Sequence, residues 1–399
     1  MVRKRILFVA AAALIALLVV TLLAGCGGDG GKEPKGEATK TVKLGGIIDL
    51  TGPTGDVGAP YADGVKAYID YYNAKGLGPK IDYNCIDYAY QIPRAKEAYD
   101  KLVKQNQVIG ILGWGTGDTD ALKEFIARDK VPYVSGSYSE SLTDISKCPY
   151  NFLIAASYSD QARIALKWAK DNWKGSEAPK VAFIFNDTAF GRSPIEDAKK
   201  YAQEIGFKVV GDEIIDLKAL DATSQMLDLK NKGADFAIIQ GTSNLAATTL
   251  KDAKKLGVKT QFIGLNWAAD EKVIKLAGDA AEGYVGVIPF AFPYDDAAGL
   301  AEIKDYLEGQ GKKMEDINQK FVQGWVSAKI MLEGVKRAGD NPTGESLKAA
   351  LETLAAFDTQ GLSAPVTFKA DSHRGSEQVR LAKVEGGKFV YLTDWIGYK

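Results

Sequence analysis

One histidine, His373, serves all 399 residues. Histidine is the commonest general base and metal ligand. A Ser/His/Asp arrangement therefore has only His373 to run through, and a His-rich zinc site is excluded. His373 lies in Asp371-Ser372-His373-Arg374-Gly375, a polar turn in which a solvated side chain is expected. Cysteine is nearly as scarce: Cys26, Cys85 and Cys148 lie far apart, without the C-x-x-C spacing of a zinc ribbon or a thioredoxin-like motif. An excess of positive charge is also missing, with 50 basic residues against 51 acidic ones. Nucleic-acid binding needs a basic footprint, so nucleic acid is not an expected partner. What remains is ordinary for a globular protein, 46% hydrophobic and 25% charged. The length makes two domains the default, at roughly 100–200 residues per domain.

The N-terminus reads as an address. Met1–Arg5 is basic, Ile6–Leu23 is apolar apart from Thr21, and Leu23-Ala24-Gly25-Cys26 follows. A basic start, an apolar middle and small residues before a cut site mark a secretory signal. The apolar run alone is near membrane-spanning length; the small residues and the cysteine point instead to cleavage. The motif looks like a bacterial lipobox, with residues 1–25 removed and Cys26 lipidated. Gly27 follows, so the usual Gram-negative inner-membrane retention signal, an aspartate, is absent. Losing Arg3, Lys4 and Arg5 leaves 47 basic residues against 51 acidic ones. Residues 26–40 are rich in Gly, Lys and Glu without hydrophobic periodicity and read as a flexible tether. Export permits a disulfide between Cys85 and Cys148; two free buried thiols are equally compatible with the sequence.

From Thr41 onward, strand-like and helix-like stretches alternate. Strands are expected at 42–50, 81–87, 108–113 and 131–135, with helices at 61–75, 94–105 and 119–129 between them. The alternation restarts after an extended segment at 149–156. Strands at 181–185, 209–215, 236–240 and 261–265 then interleave with helices at 159–173, 194–205, 224–230 and 246–256. Such β-α repeats imply parallel sheets covered by helices. Helices at 297–310, 318–338 and 344–354 follow, then short strands at 366–368, 379–384 and 389–393, the last two joined by a Glu385-Gly386-Gly387 hairpin signal. A chain that builds two lobes and then returns must cross between them, near 150–158, 283–290 and 358–366. Ligands of parallel sheets bind beyond the carboxyl ends of the strands, here in the cleft between the lobes.

Three loops of the first half could face that cleft. Asp49–Gly58 is glycine-rich, although a plain surface turn has the same composition. Gly113-Trp114-Gly115-Thr116-Gly117-Asp118 opens a helix, where unpaired N–H groups and the Thr116 hydroxyl suit a carboxylate. As a nucleotide fingerprint it fails, since the later glycine is missing and it follows the third strand. Ser135–Ser141 offers four serines as small donors, or as helix caps. From the second half come Asn186–Gly191, Gln240–Asn244 and Gly264–Trp267, each ending a strand, with Phe190 and Trp267 as candidate apolar walls or plain core. Asp118 and Asp120 make no catalytic pair, because i and i+2 do not share a helix face. The serines lack a base, so no enzyme is expected.

The mature chain resembles the leucine/isoleucine/valine-binding family of type I periplasmic binding proteins. The resemblance rests on Gly46-Ile47-Ile48-Asp49-Leu50-Thr51-Gly52-Pro53, Val131-Pro132-Tyr133-Val134-Ser135 and Tyr158-Ser159-Asp160-Gln161-Ala162-Arg163. It rests also on Phe190-Gly191-Arg192 and on Leu276-Ala277-Gly278-Asp279-Ala280-Ala281-Glu282-Gly283, which follows Gln261-Phe262-Ile263-Gly264. It implies an α/β fold of two Rossmann-like lobes with parallel sheets and three hinge crossings. Lobe 1 is expected at 41–152 plus 286–362 and lobe 2 at 153–285 plus 363–399. It also implies capture of an amino acid or related carboxylate, delivery to an ABC permease, and no cofactor or metal.

Carried over by position, Thr116 and Ser137-Tyr138-Ser139 would hold a carboxylate, beside Trp114 and Gly115. Phe190 falls where a tyrosine is usual, Thr242 or Ser243 where an aromatic is, and Val57 replaces another aromatic. Asn266, followed by Trp267, stands where the family places the glutamate that pairs with the ligand ammonium. A desolvated ammonium without a carboxylate is costly, so the expected ligand lacks one and is an aromatic or aliphatic carboxylate or an amide. The expected protein is a monomeric lipoprotein outside the cytoplasm, on the membrane by its lipid. A ligand-sensing receptor component with the same fold is the alternative.

Overall fold

The computed structural model describes residues 41–398; the expected leader, Cys26 and the tether lie outside the described residues. The first sheet grows from β1 (Val42–Ile48), α1 (Gly55–Lys75), β2 (Ile81–Asp87), α2 (Ile92–Asp100), β3 (Ile111–Leu112), α3 (Thr116–Asp129), β4 (Tyr133–Val134) and β5 (Asn151–Phe152). Its order is β2-β1-β3-β4-β5, all parallel. The second sheet follows from α4 (Tyr158–Asn172), β6 (Lys180–Phe185), α5 (Ala189–Arg192), α6 (Ile195–Glu204), β7 (Lys208–Ile214), α7 (Thr223–Lys232), β8 (Phe236–Gln240), α8 (Ser243–Leu256), β9 (Gln261–Gly264), α9 (Glu271–Ala277) and β10 (Val285–Ile288). After α10 (Leu300–Gly309), α11 (Gln319–Arg337) and α12 (Gly344–Leu351), the chain returns to this sheet as β11 (Arg380–Glu385) and β12 (Lys388–Tyr391). The order is β12-β11-β10-β9-β8-β6-β7, with only the β10-β11 and β11-β12 pairs antiparallel.

Strands buried on both faces read as continuous apolar runs. Accordingly every residue of β8, Phe-Ala-Ile-Ile-Gln, is buried. The β11–β12 hairpin closes on Gly386 and Gly387, with φ of 59° and 81°; two successive positive φ values are what a two-residue hairpin turn requires. Segment 366–368 forms no ladder, only an isolated bridge from Val366 to Phe357. Too few neighbours line up there for a strand to propagate.

Helices α1 and α11 cross at glycines. A Cβ at Gly64 would lie 2.0 Å from Phe321 O, and one at Gly324 1.9 Å from Tyr61 O. Bare backbone on both helices lets them approach this closely. Helix α1 starts at Gly55, six residues before the expected Tyr61, because its first turn contains glycine and Pro60 and reads as a loop. Proline has no N–H to give to the carbonyl four residues back. That carbonyl, Asp56 O, instead accepts from Lys272 Nζ of the second lobe at 3.2 Å.

The lobes are joined by three crossings, after β5, after β10 and before β11. They lie together: Leu153 bridges Arg374, and Phe290 bridges Ser363. His373 sits here and is not solvated. It is 1% exposed, stacked on Phe152 at 3.8 Å, with Nδ1 3.0 Å from Asn151 O and Nε2 3.0 Å from Glu352 Oε1. The polar composition of the turn hid this, because its backbone zips onto Leu153 and carries the ring inward. Cys85 and Cys148 are both free thiols.

Candidate ligand site

Strand order reverses direction at β1/β3 in one sheet and at β6/β8 in the other. Crevices for ligands open at such switch points, outside the carboxyl ends of the strands. Here the two crevices face each other across a narrow hollow of about 20 Å³, lined by Thr54, Val57, Tyr90, Trp114, Gly115, Gly136, Tyr158, Phe190, Thr242 and Trp267. That is room for about one water, against roughly 300–1,000 Å³ for small-molecule pockets, so a solute fits only with the lobes further apart. No carboxylate, ammonium or guanidinium is among the ten lining side chains.

Most polar groups around the cavity are already paired. Thr54 Oγ1 accepts from Trp114 Nε1 at 2.9 Å and donates to Asp49 Oδ2 at 2.6 Å. Asp49 also accepts from Gly52 N and Thr54 N, so one carboxylate shapes the whole first loop. Tyr158 OH accepts from Trp267 Nε1 at 2.9 Å. The indoles of Trp114 and Trp267 meet edge to face at 4.7 Å. Asp118 accepts from Tyr88 OH at 2.8 Å and from Gly115 N at 3.1 Å, which fixes the entry into α3, and burial pushes its carboxyl up to about 7. Thr242 Oγ1 is the exception. It heads α8, is buried without a hydrogen bond, and faces the Asp56 carboxylate.

Of the residues singled out from the sequence, Val57, Trp114, Gly115, Phe190, Thr242 and Trp267 line this cavity. Thr116, Ser137, Tyr138, Ser139, Ser243 and Asn266 are buried outside the lining. Thr116 Oγ1 and Ser137 Oγ lie 2.6 Å apart. Ser139 Oγ accepts from Ser193 Oγ of the other lobe at 2.7 Å, and Tyr138 OH accepts from Gln323 Nε2 at 2.9 Å. Ser243 Oγ donates to Asp270 Oδ1 at 2.7 Å. Asn266 donates its N–H to Gln161 Oε1, while its side-chain amide is fully buried with both polar atoms unpaired. Sequence reasoning missed Tyr90 and Tyr158, and it had Thr54 and Gly136 only as members of the loops 49–58 and 135–141. Thr54, Tyr90 and Gly136 sit in loops after β1, β2 and β4, and Tyr158 opens α4, so the rule that ligands gather at strand ends would have found at least Tyr90.

Behind the Trp267 wall lies a buried ionic cluster. Lys320 of α11 is fully buried, and its Nζ donates to Asn266 O, to Ala269 O at 3.2 Å and to Gln319 Oε1 at 2.7 Å. It also stands 5.4 Å from the Trp267 ring. Burial pulls its ammonium down to about 8 against the pull of Asp270, Glu271 and Asp56. Glu271 is pushed up to about 7 by burial and by Asp270. Asp56 Oδ2 accepts from Asn244 N across the lobes at 2.9 Å, yet desolvation still raises its carboxyl. These contacts hold the lobes closed over the cavity.

Two parallel-sheet lobes with opposed strand-end loops around a small hollow define a bilobal protein of the type I periplasmic binding fold. The chain belongs to the periplasmic binding protein family, whose model matches residues 41–388. It is 25% identical over 403 residues to Leu/Ile/Val-binding protein homolog 7 of Brucella suis, covering 94% of this chain and 95% of that one. It is 22% identical to a leucine-, isoleucine-, valine-, threonine-, and alanine-binding protein of Pseudomonas aeruginosa, covering 76% and 80%. Among solved structures, a branched chain amino acid ABC transporter protein of Thermus thermophilus with bound valine superposes with a TM-score of 0.85 at 28% identity, covering 90% and 97%. A fatty acid ABC transporter substrate-binding protein of Thermomonospora curvata shares the fold, with a TM-score of 0.80 at 22% identity, covering 90% and 92%.

Proposed function

We propose that the chain is the solute receptor of an ABC importer. It is tethered outside the cytoplasm by a lipid on Cys26, acts as a monomer and carries out no chemistry on its ligand. The lobes, 41–152 with 286–362 and 153–285 with 363–399, except that β10 through Ile288 pairs within the second sheet, close on one small solute and present it to a permease. The observation that carries this reading is the interlobe hollow built from strand-end loops of both lobes. Closure is favoured only by contacts made in the closed state, and the lining supplies them from Val57, Trp114 and Thr54 on one side and Phe190, Thr242 and Trp267 on the other.

The ligand is a small, mostly apolar carboxylate without a free ammonium. Support comes from the aromatic lining, the absence of a lining carboxylate and the asparagine at 266. The carboxylate end is taken by the start of α3 at Thr116, where backbone N–H groups other than Gly115 N, which Asp118 holds, and the helix dipole favour an anion. Calorimetric titration with leucine, valine, isobutyrate and benzoate tests it. Binding of the acids with leucine and valine silent is expected. Micromolar binding of leucine would reject the missing ammonium, and no binding of any carboxylate would reject the reading as a whole.

A further inference from the structure

A second hollow of about 340 Å³ opens at the lips of the cleft, lined among others by Pro53, Asn186, Thr188 and Leu217. Tyr90 lines both this hollow and the inner cavity and is the one residue common to the two linings. We propose that Tyr90 sets the length of the ligand: its ring is a septum that ends the inner cavity and keeps an extended chain out of the outer hollow. The proposal rests on the inner cavity being the ligand site.

The backbone supports a fixed septum. Ala89 and Tyr90 have φ of 49° and 59°, two successive non-glycine residues in the left-handed region. L-residues enter that region at a cost and stay there only when their surroundings hold them. The holding group is Asp87, which accepts from Ala89 N at 2.9 Å, from Leu50 N at 3.0 Å and from Thr51 Oγ1 at 2.5 Å. Gln91 N closes the turn onto Tyr88 O at 3.0 Å. The ring packs against the cores of both lobes, lies 6.0 Å from the Tyr88 ring and reaches the Thr188 side chain. A Cβ added at Gly115 would meet it at 2.9 Å, so the glycine on the ligand side leaves room for the ring.

Removing the ring joins the two hollows. Each methylene that then leaves water should tighten binding about fourfold, from about 0.8 kcal/mol per buried CH₂. The test is calorimetry of butanoate, hexanoate, octanoate and decanoate with wild type, Tyr90→Gly, Tyr90→Ala and Tyr90→Phe. Glycine adopts positive φ freely, so Tyr90→Gly keeps the turn, and thermal melting checks each variant's fold. Wild type and Tyr90→Phe should bind the short acids and lose affinity beyond hexanoate. Tyr90→Gly and Tyr90→Ala should bind butanoate more weakly and tighten along the series. Identical length profiles in wild type and Tyr90→Gly overturn the septum, as does wild type binding octanoate as tightly as butanoate. No binding of any acid by wild type overturns the carboxylate reading beneath it and the septum with it.

Discussion

Replacing Lys320 with methionine tests the claim that a buried charge props the Trp267 wall. The ammonium is depressed from 10.5 to about 8, so holding it charged at neutral pH costs about 3 kcal/mol relative to water. Methionine removes that cost. It also strands the acceptors Asn266 O, Ala269 O and Gln319 Oε1, at roughly 1–3 kcal/mol each. Asp270 and Glu271 are left facing no cation. Losses exceed the gain, and breaking one side of a buried charge arrangement costs about 3–5 kcal/mol. The variant should unfold in urea at a correspondingly lower concentration, followed by tryptophan fluorescence.

The pH dependence supplies a second signature. Lys320 titrates near 8 when folded and near 10.5 when unfolded. Between those values the unfolded chain binds the additional proton, so wild-type stability rises with pH. The methionine variant has no such group, and the gap between the two proteins should widen from pH 8 toward pH 10.5. The nearby Glu271, held near 7, titrates below this window. A variant as stable as wild type, or a gap that stays constant over the window, would refute the reasoning.

Three further outcomes follow from the packing. Gly324→Ala gains about 1 kcal/mol of helix propensity but drives a methyl to within 1.9 Å of Tyr61 O; urea denaturation should show a net loss of about 1–3 kcal/mol, and an unchanged midpoint would contradict it. Thr242→Val removes a hydroxyl that has no hydrogen bond in the ligand-free protein; calorimetry should show ligand affinity reduced about two- to tenfold, with melting of the free protein not lowered. Burial holds the His373 imidazole below 6.5, so its contribution to stability is intact above that pH and is lost as pH falls through 6.5 toward the folded value. Melting curves of wild type and His373→Phe across that range should therefore converge on the acid side.

The alternation of apolar runs was enough to read both lobes, because parallel strands covered on two faces leave long apolar stretches. Strand Phe236–Gln240 was legible residue by residue. The early start of α1 was not, since Gly55, Gly58 and Pro60 read as a turn; tertiary contacts decide there, with a Cβ at Gly58 2.0 Å from Asp49 O. Trp114, Phe190 and Trp267 were legible as cleft residues because each sits in the segment that follows a strand's carboxyl end. The place of Tyr90 after a strand end was legible too, but its turn was not, because two left-handed residues without glycine break local preference and Asp87 compensates through contacts that no sequence pattern announces. His373 failed for the same reason: a polar turn was carried inward by pairing with Leu153.

The pairing state of the polar groups argues how such a cleft would choose among solutes. Thr54 is taken by Trp114 and Asp49, Tyr158 by Trp267, Thr116 by Ser137 and Ser139 by Ser193. A ligand offering additional polar groups finds few partners unless it breaks one of these bonds. A charged amine entering the lining would lose its hydration and meet no carboxylate there. Asp56 is close: Asn244 N occupies its Oδ2, its buried Oδ1 has no hydrogen bond, and desolvation raises its carboxyl. On the proposed reading, selection against amino acids would come from desolvating their ammonium, several kcal/mol for an ion, with no carboxylate in the lining to offset it. Selection among apolar acids has no such lever. A smooth hydrophobic wall distinguishes neighbours by only about 1–3 kcal/mol per methylene, so sharp discrimination by size needs a rigid stop, and Tyr90 on its braced turn is the group placed to provide it.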